Sequence, residues 1–138
     1  MTSIVAALDV RSGQTRAEEI ARNDAEHFIE FLTSIDALID PALAVHLIVD
    51  NGSSHVAKRT KAWLAEHFRF QVQHTPKHAS WLNQVAFGVF HHGPQAFEKR
   101  QVRKRDDVVA KIMTWIANYD CSATPFAWTY NGKPLKAA

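Results

Sequence analysis

"VHLIVDNGSSH", Val45–His55, is the stretch whose reading decides the fold. Its first five residues carry Val45, Leu47, Ile48 and Val49, a short apolar run rich in β-branched side chains. Such a run bounded by turn residues reads as a buried strand. The strand stops at Asp50-Asn51-Gly52, whose types favour a turn, and Ser53 or Ser54 can cap a helix over roughly 55–67. A carboxylate at the C-terminal end of a buried strand, just ahead of a helix, stands where α/β sheets place their chemistry. The plainer role for Asp50 is to cap that turn.

Upstream, Ile4–Leu8 reads as another buried strand ending near Asp9. Ser12-Gly13 is a turn signal, and Gln14–Ile20 is a weak partner strand that closes a hairpin. Asp9 leads into that hairpin, so a turn role is expected of it. A helix follows, with Asn23 as cap, Glu26 three residues on in a box-like arrangement, and Phe28, Phe31, Leu32, Ile35 and Ile39 on one face. Downstream, Phe70–His74 alternates as a strand ended by Thr75-Pro76-Lys77, and a helix should start near Ser80. The last helix starts at Asp106 and turns Val109, Ile112, Met113 and Ile116 inward. Thr124–Ala138 reads as an irregular strap. Strands alternating with helices predict an α/β sheet with helices packed on it, in a single domain over 1–138.

The composition fits a globular domain: 138 residues, 46% apolar, 22% charged, net charge +2. No apolar run reaches the roughly 18 residues of a membrane span, and no secretory leader pattern opens the sequence. The single cysteine, Cys121, has no internal partner, so a reducing cytoplasm is the expected location. The mild basicity permits a nucleic-acid partner without requiring one.

His74 and His78 stand four apart, a metal spacing on a helix, but Pro76 lies between them in a strand end and loop. A small zinc site using these two with His91 and His92 is therefore a minor reading. His55, Lys58, Arg59 and Lys61 decorate the helix after Asp50, either as a solvated face or as phosphate contacts. Lys58, Lys77 and His78 are candidate contacts to a nucleic-acid backbone, with Asn83 as a hydrogen-bonding candidate.

"LIVDNGSSHVAKRTKAWL", "TPKHASWLNQV", "RDDVVAKI" and "PFAWTYNGKPLK" together resemble the catalytic domain of DDE-type insertion-sequence transposases of the mariner-like superfamily. The similarity runs in order along nearly the whole chain and weakens over 86–104. It implies an RNase H-like fold, a mixed sheet flanked by helices. Three acids there hold two Mg²⁺ (or Mn²⁺) ions for DNA cleavage and strand transfer. By position Asp50 matches the second acid and metal ligand. The first acid belongs to an opening strand upstream of the one matched by Ser3–Val10, so the fold is expected to be incomplete, lacking its first strand. The third-acid position is Ala86, and Glu98, twelve residues on, is too distant to replace it. The resemblance implies DNA (transposon ends) as partner, with dimerisation or pairing with an intact transposase. The chain alone is expected to be catalytically inactive. The alternative is a non-catalytic protein that binds DNA or interferes with the intact enzyme.

"QVAFGVFHHGPQAF", residues 84–97, interrupts the expected catalytic helix with Gly88 and Gly93-Pro94. The codons of His-His-Gly-Pro-Gln-Ala, read one nucleotide later, permit Ile-Met-Ala-Arg-Lys, a helix-forming run similar to the family's. The hypothesis is that residues from about Ala86 to Lys104 are translated out of frame, which would make the basic cluster Lys99–Arg105 accidental; the coding DNA tests it. A helix from 80 to about 90 with a break near 93 is expected.

Overall fold

The computed structural model describes residues 3–77 and 105–125. Strands β1 (Ser3–Leu8) and β2 (Thr15–Ile20) form an antiparallel hairpin in unbroken register, from Ser3 opposite Ile20 to Leu8 opposite Thr15. Its turn is built by Asp9, whose carboxylate accepts from the Arg11 amide at 2.9 Å and the Ser12 hydroxyl at 3.1 Å. The turn role expected of Asp9 is the observed one. Gly13 has φ +78°, and a Cβ there would overlap the Thr124 carbonyl, so this position needs glycine on both counts.

Helix α1 (Ala25–Leu38) follows. Its cap is Asp24, whose side chain accepts from the His27 amide, while Asn23, expected as the cap, accepts instead from the Ser54 hydroxyl at 3.2 Å. The expected apolar face is real: Phe28, Phe31, Leu32 and Ile35 are buried, each worth about 1.5–3 kcal/mol of transfer free energy. Ile39 ends the helix as its C-cap.

Strand β3 (Val45–Val49) pairs in parallel with β4 (Phe70–His74), both with the expected bounds. Between them run α2 (Ser53–Val56) and α3 (Lys58–Glu66), two helices where one was expected. Neither serine caps α2; its N-cap is Gly52, without a side-chain bond. Extended backbone at Ala57 separates the two helices, and the Thr60 hydroxyl donates to the Ser54 carbonyl at 2.6 Å. Thr60 is fully buried in doing so.

Arg69, just before β4, ties this unit to α1. Its guanidinium meets the Asp36 carboxylate at 2.5 Å and donates to the carbonyls of Asp36, Ile39, Asp40 and Leu43. No basic residue lies in the last turn of α1, so Arg69 supplies from a distance the cation that a helix C-terminus favours.

Helix α4 (Arg105–Asp120) buries Val109 and Ile116 and half-buries Ile112 and Met113. At its end the Asp120 carboxylate accepts from the Thr15 amide at 2.7 Å, which fixes α4 against the hairpin.

The class is mixed α/β as expected. Among the described residues, however, the single mixed sheet expected is two separate two-stranded sheets, β1-β2 and β3-β4. Nor is β3 fully buried: Val45 is, but Ile48 is 57% exposed, and among the described residues β3 has a strand neighbour on one side only. The helix expected from Ser80, the break near 93, the proposed out-of-frame segment and most of the C-terminal strap lie outside the described residues.

Candidate functional site

Asp50 leaves β3 at its C-terminal end, and the backbone turns at once into α2. The Asp50 Oδ1 accepts from the Gly52 amide at 2.9 Å and is 2.8 Å from the His55 Nδ1. The same ring nitrogen lies 3.2 Å from the Asp50 carbonyl oxygen. His55 is held from the other side by Phe28 of α1, with ring centroids 4.5 Å apart. Gly52 lets this pair close, since a Cβ there would stand 3.0 Å from the Asp50 Oδ1 and 3.3 Å from the His55 Nδ1.

The strand ends beneath are tied together. The Asn51 side-chain amide donates to the Thr75 carbonyl at 2.7 Å, and the Thr75 amide donates to the Val49 carbonyl at 2.8 Å. The imidazole of His74 reaches the Asp50 carbonyl at 3.4 Å. Thr75 is buried, and its hydroxyl has no hydrogen-bond partner among the described residues.

Chemically, this is a carboxylate oriented by a histidine. One oxygen, Oδ1, already accepts two hydrogen bonds, which leaves Oδ2 for a further ligand. Hard divalent cations take about six oxygen ligands, several of them anionic in a site that holds two ions. Among the described residues no group of three or more His, Cys, Asp or Glu is arranged to hold a metal. These residues alone therefore do not fit a two-ion centre.

Lys58 opens α3 and Lys77 follows β4, both exposed. His78, Asn83 and Ala86 lie outside the described residues, as does the other half of the His74/His78 pair. His55 differs from its expected place among surface residues, since it turns inward to Asp50. Its spacing of five from Asp50, with the small Gly52 between, was the available signal. Arg69 was not singled out from sequence at all, and only its place between Phe68 and Phe70 sets it apart.

A family model of DDE superfamily endonucleases matches residues 1–109, and the chain belongs to that family. It is 36% identical over 58 residues to the insertion element IS630 uncharacterized 39 kDa protein of Shigella sonnei. That alignment covers 42% of this chain and 17% of the relative's length. In three dimensions the chain is similar to a chain of the simian T-cell lymphotropic virus intasome, solved by cryo-electron microscopy with the PP2A regulatory subunit B56 gamma. The TM-score is 0.54 at 13% identity, over 98% of this chain and 53% of that one, a likeness of fold. Among the described residues no helix is long and apolar enough to cross a membrane.

Proposed function

We propose that this chain is part of the catalytic domain of an insertion-sequence transposase, with an RNase H-like fold. Its relatives in this reading cleave and join transposon-end DNA. Asp50 is the second of their three acids. The observation that carries the reading is the position of Asp50 at the end of β3, its carboxylate oriented by Gly52 and His55 within a matched family region.

The chain alone is inactive as a nuclease in this reading, because the third-acid position is Ala86, whose side chain has no oxygen to offer a metal. Purified protein, incubated with Mg²⁺ or Mn²⁺ and DNA bearing the element's ends, is expected to leave no nicks, and Asp50→Ala to behave identically. Nicking that disappears in Asp50→Ala would refute inactivity and establish Asp50 as catalytic.

A second reading, a DNA-binding protein that interferes with the intact transposase, draws on exposed Lys58 and Lys61, which share one face of α3, and on exposed Lys77. It requires affinity for end DNA that falls steeply with salt. No binding at low salt would dismiss it.

A further inference from the structure

Asn51-Gly52 lies in the turn between β3 and α2, and the same dipeptide recurs at Asn131-Gly132. An asparagine followed by glycine is chemically labile in a free chain. Glycine has no Cβ to shield its amide nitrogen and adopts backbone angles closed to other residues, so that nitrogen readily reaches the asparagine Cγ. The nitrogen attacks Cγ, the Cγ–Nδ2 bond breaks, and the proton lost from the attacking nitrogen ends on the departing ammonia. The product is a five-membered succinimide. Water then opens either of its two C–N bonds, giving aspartate by one route and isoaspartate by the other. Nothing is oxidised or reduced.

In the fold both reacting groups of Asn51-Gly52 are engaged. The Gly52 amide donates to the Asp50 Oδ1 at 2.9 Å. Removing its proton would set an anionic nitrogen against a carboxylate oxygen, a like-charge contact at close range. The Asn51 Nδ2 donates to the Thr75 carbonyl at 2.7 Å, and a carbonyl only accepts, so the orientation of the side-chain amide is fixed. This bond holds the side chain toward the end of β4, while the Gly52 nitrogen is turned to Asp50. Asn51 is itself exposed, so neither water nor solvent base is kept from it.

We propose that Asn51 is a latent modification site: two hydrogen bonds at the end of β3 keep it as asparagine, and their opening converts it, in one direction only, to aspartate and isoaspartate. The product cannot rebuild the closure. A carboxylate only accepts, so neither product donates to the Thr75 carbonyl. Isoaspartate also adds a methylene to the main chain between Asp50 and Gly52, the two residues whose hydrogen bond sets the Asp50 carboxylate. The change therefore acts on the Asp50–His55 pair from the neighbouring position. It draws on no feature of the transposase reading.

The test incubates the intact chain in warm, mildly alkaline buffer, native or in urea. Peptide mass spectrometry with isoaspartate detection follows Asn51 separately from Asn131. Native Asn51 is expected to convert more slowly than Asn51 in urea, by about tenfold or more, because only the locally opened form reacts. Equal rates in the two conditions overturn the proposal. Aspartate without isoaspartate in urea overturns it too, since the succinimide gives both.

Two variants separate the local closure from general loosening. Asp50→Ala frees the Gly52 amide, and its native rate at Asn51 is expected to approach the urea rate. Arg69→Lys disturbs the opposite end of the β3–β4 pair, where the Val45 amide meets the Arg69 carbonyl, and is expected to leave Asn51 slow. Equal acceleration in both variants means that global unfolding carries the reaction, and it overturns the proposal. An Asp50→Ala chain that folds and stays as slow as the wild type does so as well. If Asp50→Ala does not fold, the wild-type Gly52 amide decides. It is expected to exchange with solvent about tenfold or more slowly than the same amide in urea, and exchange at the urea rate overturns the proposal. None of these readouts involves DNA, so the nicking and end-binding assays succeed or fail separately.

Discussion

The His55 ring stands with its Nδ1 2.8 Å from the Asp50 Oδ1 and tilted at 50° against the Phe28 ring, so one side chain joins the end of β3 to helix α1. His55→Ala removes a partly buried hydrogen bond and a ring contact together, and is expected to cost about 1–2 kcal/mol in urea unfolding. Gly52→Ala forces the same pair apart by steric contact. Its cost should therefore be smaller in the His55→Ala background than in the wild type, a coupling that a double-mutant cycle reads directly. Strict additivity would show that the pair does not act as a unit.

Arg69 meets one carboxylate and four carbonyls, a fan that a planar guanidinium can reach and an ammonium cannot. Arg69→Lys keeps the charge and is nonetheless expected to lose roughly 2–3 kcal/mol, since several of those carbonyls lose their donor. Chemical denaturation monitored by tryptophan fluorescence checks this. An unchanged midpoint would mean the fan contributes nothing net.

Thr75 presents the opposite case, a buried hydroxyl without a partner among the described residues. Thr75→Val is nearly isosteric and removes a desolvated polar group, so it is expected to be neutral or to stabilise by up to about 1 kcal/mol. Thr75→Ser, which retains the hydroxyl and removes a methyl, should destabilise. Loss of stability in Thr75→Val would reveal a hydrogen bond made by that hydroxyl.

The cap of α1 makes stability depend on pH. Asp24 is lowered from the ordinary aspartate range, chiefly by its hydrogen bond with His27, and His27 is raised by the same bond. The aspartate contribution is present above its ordinary range and is lost as pH falls through the lowered value. The histidine contribution is complete below its ordinary range, about 6.5, and is lost as pH rises through the raised value. Between the two, from about pH 4.5 to 6, the pair contributes most. The difference in unfolding free energy between wild type and Asp24→Ala should peak there and shrink on both sides.

Strands β3 and β4 were legible to the residue because a β-branched run ended by Asp-Asn-Gly and an alternating stretch ended by Thr-Pro both read as strands. The burial of β3 was not, because the exposure of Ile48 depends on what packs on its face of the sheet. The break at Ala57 was hidden for a related reason: the Thr60 hydroxyl donates across it to the Ser54 carbonyl, a contact that no local pattern announces. Asn23 and Asp24 are both good caps, and only the approach of Ser54 to Asn23 separates their roles. At the site, the position of Asp50 followed from the strand and turn, whereas its histidine partner did not. A histidine on a basic helix looks like part of a solvated face until the fold places Phe28 behind it.

The bond from Thr15 to Asp120, together with the closeness of Gly13 to the Thr124 backbone, bears on where this chain can be cut. The family match stops at residue 109, in the first half of α4. A fragment ended there would leave the hairpin amide without its acceptor and uncover the face that Ile116 fills. An expression boundary drawn from the family-model match alone would thus remove part of the hairpin's support.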